Sequence, residues 1–280
     1  MKPVLLDGAV GTSLWAKAEA HGYKKDPVWK YNIEHPEIVA ELAQEYAAAG
    51  SKMILANTFG ANGPMVKRVS SYSTADVVSK GVQITRKALE GTDCVTALSM
   101  GPLTALLDPY GDMEEEECAE IYEEIAEAGV NAGAQAFMIQ TFMDLHMMEV
   151  AAKVCVKYKL PIYCTLTFEK RGKTMMGNSV EDMIETLEPL GVAGMGMNCS
   201  LGPDLALPII KEFAEKTSVP LVYKPNAGMP ISSGGSGSAI TAEEFAKAVE
   251  PALDFVSYIG GCCGSDPTYV AEIKKLLDKR

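Results

Sequence analysis

"HPEIVAELAQEYAAAGSKMILANTF" (residues 35–59) contains one predicted helix followed by one predicted strand. Pro36 inside the first turn and Gly50 at the end are typical start and stop signals of a helix. The segment KMILANTF (52–59) is continuously apolar at its start, as expected for a strand that is buried on both faces of a parallel sheet. This stretch therefore predicts an α/β protein, provided that the unit repeats along the chain.

The unit does repeat, because short apolar runs alternate with amphipathic stretches throughout the sequence. The predicted strands are 3–9, 52–59, 94–101, 136–142, 161–168, 192–200, 220–228 and 255–264. The predicted helices are 35–50, 75–90, 112–133, 144–159, 179–188, 203–216, 241–250 and 266–278. Eight such repeats predict a (β/α)8 TIM barrel that forms a single domain over residues 1–280. A doubly wound open sheet is the alternative, but DGAVGT (7–12) lacks the glycine spacing of its usual phosphate loop.

One low-complexity segment, SSGGSGSA (232–239), falls between the seventh predicted strand and the helix that follows it. An interdomain linker at this position would leave too little chain beyond it for a second domain. We therefore expect a mobile or surface loop over the mouth of the barrel.

The composition limits the classes of function. The chain has 280 residues, of which 48% are hydrophobic and 22% charged, and its formal net charge is −12. Proteins that bind a phosphate backbone need a basic face, so we expect no nucleic-acid partner. The sequence has no long apolar run and no signal-peptide pattern, which predicts a cytoplasmic protein without a membrane partner. Seven cysteines, an odd number, fit reduced thiols better than a disulfide framework.

Three cysteines fall at the carboxyl ends of predicted strands, where barrel enzymes carry their chemistry. Cys199 ends the sixth strand, and Cys262 and Cys263 end the eighth in IGGCCGSD (259–266). Adjacent cysteines form a poor disulfide pair, and the surrounding glycines would permit a sharp turn that aims both thiols at one ion. Three thiolates with one open position make a good zinc site. The alternative is that the adjacent cysteines only pack in the core. Four other cysteines are predicted to be small apolar fillers: Cys94, Cys118, Cys155 and Cys164.

A three-thiolate site favours one kind of chemistry over another. Three thiolates leave a bound dication with net negative charge, which is a poor arrangement for acidifying water. The same site suits a substrate thiol. Binding to zinc lowers the pKa of the thiol from about 8.5, while the sulfur stays nucleophilic. None of the three histidines, His21, His35 and His146, lies at a predicted strand end, so we expect no histidine base.

Several motifs, in order along the whole chain, resemble those of the homocysteine S-methyltransferase family. They are LLDGAVGT (5–12), NIEHPEIVAELAQEYAAAG (32–50), NTFGAN (57–62), GMNCSLGPD (196–204), VYKPNAGMP (222–230) and GGCCGSDP (260–267). Within the family the chain is most similar to the homocysteine-binding barrel of cobalamin-dependent methionine synthases. The resemblance implies an enzyme that methylates a thiol, with zinc (Zn2+) held by the three cysteines.

The resemblance also implies roles for individual polar residues. Asn226 matches an asparagine that can act as a weak fourth zinc ligand when substrate is absent, and Asp7 matches an acid that contacts the substrate amino group. The other candidate substrate contacts are Asn57, Gln140, Thr141 and Asn198. The site is expected to need no catalytic residue beyond the zinc ligands.

Two positions depart from the family pattern. Most relatives have glutamate-threonine where this chain has Gln140-Thr141, and methionine synthases usually have glutamate-threonine where it has Leu55-Ala56. Both changes remove negative charge near the substrate pocket, and a charged hydrogen bond contributes roughly 1.5–3 kcal/mol. The predicted substrate is therefore homocysteine or a related thiol, and the lost charge bears on the choice between them.

The methyl donor is predicted to be a separate methylcorrinoid protein. A separate donor is expected because residues 1–280 show neither a pterin-binding domain nor the corrinoid-binding Asp-x-His-x-x-Gly pattern. Other donors that the family implies are S-methylmethionine and betaine. Two alternatives belong to other classes: a non-catalytic zinc-thiolate module that senses oxidation, and a metal-free barrel that uses Asp7 for acid–base chemistry on a sugar-like substrate.

Overall fold

Eight parallel strands form a nearly closed barrel in the computed structural model, which describes residues 2–228 and 240–280. The strands are β1 (Val4–Leu5), β2 (Met53–Leu55), β3 (Val95–Met100), β4 (Ala136–Phe142), β5 (Ile162–Leu166), β6 (Gly194–Asn198), β7 (Leu221–Lys224) and β8 (Tyr258–Ile259). They pair in the order β1-β8-β7-β6-β5-β4-β3-β2, and a bridge between Leu6 and Met53 brings the two ends together. The prediction of a (β/α)8 TIM barrel is confirmed. β4 matches its predicted range, and each of the other strands lies within its predicted range but is shorter.

Helices connect the strands on the outside of the barrel. Those of the described residues are α1 (Val10–Ala20), α2 (Tyr31–Glu34), α3 (Pro36–Ala48), α4 (Gly63–Val69), α5 (Thr74–Ala88), α6 (Glu115–Asn131), α7 (Leu145–Val156), α8 (Val180–Leu187), α9 (Pro203–Lys216), α10 (Ala242–Val249) and α11 (Pro267–Asp278). All eight predicted helices are present, and α1, α2 and α4 are additional. The segment 232–239, predicted as a loop over the barrel mouth, lies outside the described residues. In the described part of the chain, no helix is long and apolar enough to cross a membrane.

Alternation along the strands separates two apolar layers. On β7, for example, Leu221 and Tyr223 pack in the large cluster between strands and helices, whereas Val222 packs in a smaller cluster inside the barrel. The smaller cluster is Leu6, Met53, Leu55, Ala97, Ala136, Met138, Tyr163 and Val222. Because these side chains fill the barrel interior, the inward residues that follow them along the strands line its carboxyl end.

Candidate metal and thiol site

A layer of polar side chains lies next to the interior apolar cluster, on its side toward the carboxyl ends of the strands. The strand period of two places Ser99, Gln140, Thr165, Asn198 and Lys224 on the same inward face as Ala97, Met138, Tyr163, Gly196 and Val222, two residues further along each strand. All five polar residues are buried. Polar residues inside a barrel are costly unless they are paired or used, so this layer is the expected floor of a functional site.

The sulfur atoms of Cys199, Cys262 and Cys263 converge beside this layer. All three lie within 4.8 Å of one another, and the Sγ atoms of Cys199 and Cys263 are 3.7 Å apart. A tetrahedral zinc ion with Zn–S bonds of about 2.3 Å places its sulfur ligands roughly 3.8 Å apart. The spacing and the soft donor set therefore fit a zinc ion held by three thiolates.

Mutual hydrogen bonding makes the three thiols unequal. Hydrogen bonds from Cys262 and then Cys263 hold the pKa of Cys199 well below its usual range. The same contact with Cys199 raises the pKa of Cys262 and of Cys263. One sulfur of the cluster is thus readily ionised, while the other two need a cation to become thiolates together.

The other cysteines are in different surroundings. Burial raises the pKa of Cys118 to about 12 and also raises the pKa of Cys155 and of Cys164. Cys94 is half-buried at the amino end of β3, where its Sγ contacts the carbonyl oxygen of Ser51 at 3.1 Å. None of these four lies in the three-cysteine cluster.

Cys199 is held in an unusual backbone conformation directly after β6. Its φ is 61°, and that of Ser200 is 53°, a left-handed region that non-glycine residues seldom adopt. The Cys199 amide donates to the Lys224 carbonyl at 3.1 Å, and the Ser200 hydroxyl donates to the Phe168 carbonyl at 2.6 Å. These bonds hold the turn that points the Cys199 thiol at the other two.

The loop that carries Cys262 and Cys263 is fixed on two sides. The Cys262 amide donates to the Pro225 carbonyl at 2.9 Å, and the Ala227 amide donates to the Cys263 carbonyl at 2.9 Å. Ser265 closes the loop, because its hydroxyl donates to the Cys262 carbonyl at 2.6 Å. Both thiols are therefore anchored to the segment that follows β7.

The glycines around the cysteine pair have two different functions. Gly264 has a φ of 83°, so it makes the turn that the sequence predicted. Gly260 and Gly261 instead allow close approach: a Cβ on Gly260 would lie 2.5 Å from the Asp7 carbonyl oxygen, and one on Gly261 would lie 2.2 Å from the Ser265 hydroxyl.

Asn198 connects β4, β5 and the cysteines. Its Oδ1 accepts from the Thr141 amide and from the Thr165 hydroxyl, both at 2.8 Å. Its Nδ2 donates to the Thr141 hydroxyl at 2.7 Å and lies 3.6 Å from the Cys262 Sγ. Asn198 is fully buried and lies behind the cavity wall, so its geometry supports positioning of Thr141 and Cys262.

Asn226 has no hydrogen-bond partner for either side-chain polar atom among the described residues. The residue is completely buried, two positions beyond β7. An unpaired buried amide costs about 1–3 kcal/mol, so this side chain, which lies beside the Cys199 thiol, is available to a ligand. This placement fits the predicted role of Asn226 as a weak fourth ligand, which remains a prediction.

Asp7 is not a free anion, because it pairs with Lys224. The Lys224 Nζ donates to Asp7 Oδ1, the Leu55 amide donates to Asp7 Oδ2 at 2.8 Å, and both charged side chains are buried. Lys224 was not among the residues predicted from the sequence. An ionisable residue in the otherwise apolar strand PLVYK (220–224) was the signal that could have identified it.

A cavity of about 710 Å³ opens above the polar layer. Of the predicted residues, Cys199, Cys262, Cys263, Gln140, Thr141 and Asn57 line this cavity, together with Lys224. Asp7, Asn198 and Asn226 do not line it, and neither does any of the three histidines. The mouth is largely apolar, with Trp15, Phe59 and Met65 in its wall.

Two candidate substrate contacts are already partly engaged. Gln140 donates through Nε2 to the Ser99 hydroxyl at 2.9 Å. Asn57 donates through Nδ2 to the Val28 carbonyl at 2.7 Å and to Asn32 Oδ1 at 2.8 Å. The Asn57 Oδ1 is buried and has no partner in the described ranges. The substrate contacts therefore stay predictions.

Comparison with protein families finds a match over nearly the whole chain. The family model described as homocysteine S-methyltransferase matches residues 4–277. Methionine synthase of Mycobacterium tuberculosis (strain ATCC 25618 / H37Rv) is 27% identical over 260 residues, which cover 86% of this chain and 22% of that protein. Methionine synthase of Mycobacterium leprae (strain TN) is 26% identical over 260 residues, covering 86% and 21%. The chain thus spans about a fifth of the length of these relatives.

Solved structures show the same fold. The metallated form of the homocysteine methyltransferase MmuM from Escherichia coli superposes with a TM-score of 0.81 at 23% identity, covering 99% of this chain and 96% of that one. Its oxidised form gives a TM-score of 0.80 at 22% identity, with the same two coverages.

Proposed function

This chain belongs to the homocysteine S-methyltransferase family, and we propose that it is a zinc-dependent enzyme that methylates the sulfur of homocysteine or a related small thiol. The family match confirms the predicted resemblance and supports an S-methyltransferase activity for this chain. We propose further that residues 1–280 act as a single zinc-binding domain.

One observation supports the zinc part of the proposal: three cysteine sulfurs converge in a cavity large enough for a small thiol. Cys199, Cys262 and Cys263 would hold the ion, and Asn226 would be the weak fourth ligand. A zinc ion bound there would lower the pKa of a substrate thiol, so that its sulfur is available as a thiolate at neutral pH.

The protein's own groups orient the reactants and keep water away. Asn198 and Thr141 fix the wall between β4 and β6, and Gln140 presents a neutral amide to the cavity. The apolar mouth formed by Trp15, Phe59 and Met65 limits access of water to the reacting atoms. The substrate thiolate attacks the methyl carbon in line, and the electron pair of the broken bond leaves with the donor. No oxyanion forms, so catalysis rests on the thiolate and on its alignment with the methyl group.

We propose a methylcorrinoid on a separate protein as the methyl donor, supported by the similarity to methionine synthases. S-Methylmethionine and betaine are the alternative small donors, and the homocysteine methyltransferase MmuM has the same fold. To identify the donor, the enzyme is given one thiol together with each of the three candidate donors in turn, and methyl transfer is measured.

A methyl-transfer assay tests the proposed function. Purified zinc-loaded protein is given a thiol and each donor, and the methyl thioether is measured by mass spectrometry. We expect turnover with at least one donor, loss of turnover in Cys199→Ser, and retained turnover in Cys94→Ser, a cysteine outside the cluster. Absence of any thioether across the panel, or equal turnover in both variants, would contradict the proposal.

A further inference from the structure

The carboxylate expected to receive a substrate ammonium already accepts hydrogen bonds through both of its oxygens. Both oxygens of Asp7 accept hydrogen bonds, one from the Lys224 ammonium and one from the Leu55 amide. Asp7 is completely buried and does not line the cavity. A ligand in the cavity therefore meets Lys224 rather than Asp7.

Lys224 offers hydrogen-bond donors to that ligand. Its ammonium has three N–H groups, and Asp7 is its one acceptor among the described residues. Lys224 is 1% exposed and lines the cavity that the three cysteines also line. Buried N–H donors beside a ligand cavity favour an acceptor on the ligand, and an anionic oxygen most of all.

Asp7 pairs with this cation from outside the cavity wall, and within the described part of that wall no carboxylate forms an ion pair with it. The acidic residue in that wall is Asp26, which lies 3.5 Å from Lys24 and 3.6 Å from Lys30. Elsewhere the wall offers the neutral amide of Gln140 and the apolar side chains of Leu55 and Ala56. An ammonium placed beside Lys224 would be desolvated next to a like charge, which is unfavourable.

From this arrangement we infer that the natural thiol lacks an ammonium group and carries a carboxylate or sulfonate that accepts from Lys224. This inference rests on the proposed function, because it names the class of thiol that the same site methylates. Lys224 becomes the residue that sets the charge preference of the pocket, bridging Asp7 on one side and the substrate anion on the other.

Three thiols of matched length test the inference on the wild-type enzyme. Homocysteine and 4-mercaptobutyrate differ in the amino group alone, and 4-mercaptobutanol lacks both charges. We measure kcat/KM for each thiol and its binding by calorimetry. The expected result is that 4-mercaptobutyrate exceeds each of the others at least tenfold in both readouts. A preference for homocysteine over 4-mercaptobutyrate overturns the inference and leaves the proposed function intact.

Binding separates the failure of this inference from that of the proposed function. If no thiol is methylated with any donor, the proposed function fails. The affinities of the three thiols, measured by calorimetry, then still show which charge the pocket prefers. If 4-mercaptobutyrate binds no better than 4-mercaptobutanol, Lys224 does not recognise an anion and the inference is wrong.

Replacement of Lys224 gives an independent readout. Lys224→Met frees Asp7 to receive an ammonium, so the ratio of homocysteine to 4-mercaptobutyrate activity should rise at least tenfold. A purely structural role of Lys224 would lower both activities alike and leave the ratio unchanged. Lys25→Met is the matched control, because Lys25 also lines the cavity but lies over the Trp15 ring at the mouth; its ratio should not change.

A second variant covers the case in which Lys224→Met does not fold. Gln140→Glu keeps the Asp7–Lys224 pair and adds a carboxylate to the cavity wall. It should shift the same ratio towards homocysteine and weaken the binding of 4-mercaptobutyrate. An unchanged ratio in folded Gln140→Glu would overturn the inference.

Discussion

At the scale of single residues, backbone strain is concentrated at the candidate site. Of the four non-glycine residues with positive φ in the described ranges, Thr141, Cys199 and Ser200 lie at the carboxyl ends of β4 and β6, and Lys159 lies elsewhere. A β-branched residue such as Thr141 is particularly unfavourable there. Such residues persist when their surroundings fix them, and here Asn198 bonds to both the amide and the hydroxyl of Thr141.

Removal of the Asn198 side chain should therefore lower the free energy of unfolding by more than the loss of a single hydrogen bond would. Asn198→Ala leaves the Thr141 amide and hydroxyl and the Thr165 hydroxyl without this buried partner, and we expect a loss of about 1–3 kcal/mol in the free energy of unfolding. Urea denaturation measures it. Thr165→Val is the matched control, because it removes one of these bonds and should cost about 1 kcal/mol. Equal losses in the two variants would show that Asn198 does not have this central role.

The sequence predicted the residues of this site unevenly. The three cysteines were identifiable because their types and strand-end positions are rare together. The Asp7–Lys224 pair was not, because the two residues are 217 positions apart and no sequence spacing brings them together. The positive φ of Thr141 likewise has no local signal, since it depends on Asn198 from another strand.

At the scale of elements, the connection between β8 and α11 is the part of the fold that builds the site. Gly260 permits its close approach to the Asp7 carbonyl oxygen, and Gly261 leaves room for the Ser265 side chain of the same connection. Its carbonyl and amide groups bond to Pro225 and Ala227 beyond β7. The position of both thiols therefore depends on the packing of this loop.

Gly261→Ala should disturb this loop without unfolding the barrel. Its Cβ would lie 2.2 Å from the Ser265 Oγ and 2.6 Å from the Ser265 Cβ, so the hydroxyl that holds Cys262 has to move. We expect the affinity for zinc to fall at least tenfold, measured by competition with a chelator. Gly91→Ala is the control: Gly91 has a φ of 82° but nothing within 4 Å of an added Cβ, so it should keep wild-type affinity. Equal affinity in Gly261→Ala would contradict this account of the loop.

Elements differ in how well local sequence predicts them. The strands were recognisable as apolar runs, although most of the predicted ranges extended into the flanking loops. Helix α1 was not predicted because the residue before it, Ala9, has no side chain that can cap a helix, so the sequence gives no clear start signal. Its buried residues Ser13, Leu14 and Ala18 do have helical spacing.

At the scale of the whole molecule, the barrel and the site are largely independent. The main core joins strands to the surrounding helices, and the smaller cluster fills the barrel interior below the polar layer. Neither contains Cys199, Cys262 or Cys263. Apolar burial on this scale supplies the dominant favourable contribution to folding, so the fold should not require a metal.

Removal of metal should accordingly leave the fold in place. After chelation we expect an unchanged far-ultraviolet circular dichroism spectrum at 25 °C and a lower melting temperature, because a bound ion stabilises only the folded state. Activity should be lost in the same sample and return when zinc is added. Wholesale unfolding on chelation would instead identify a structural metal site.

The most direct test of the central claim is the zinc content of purified protein, measured by mass spectrometry of the metal per chain. The account predicts about one zinc per chain for the wild type, very little for Cys262→Ser, and the wild-type amount for Cys94→Ser. Cys94→Ser is a suitable control because a serine hydroxyl can still contact the Ser51 carbonyl. Wild-type zinc in Cys262→Ser, or an equal loss in both variants, would contradict a zinc centre formed by Cys199, Cys262 and Cys263.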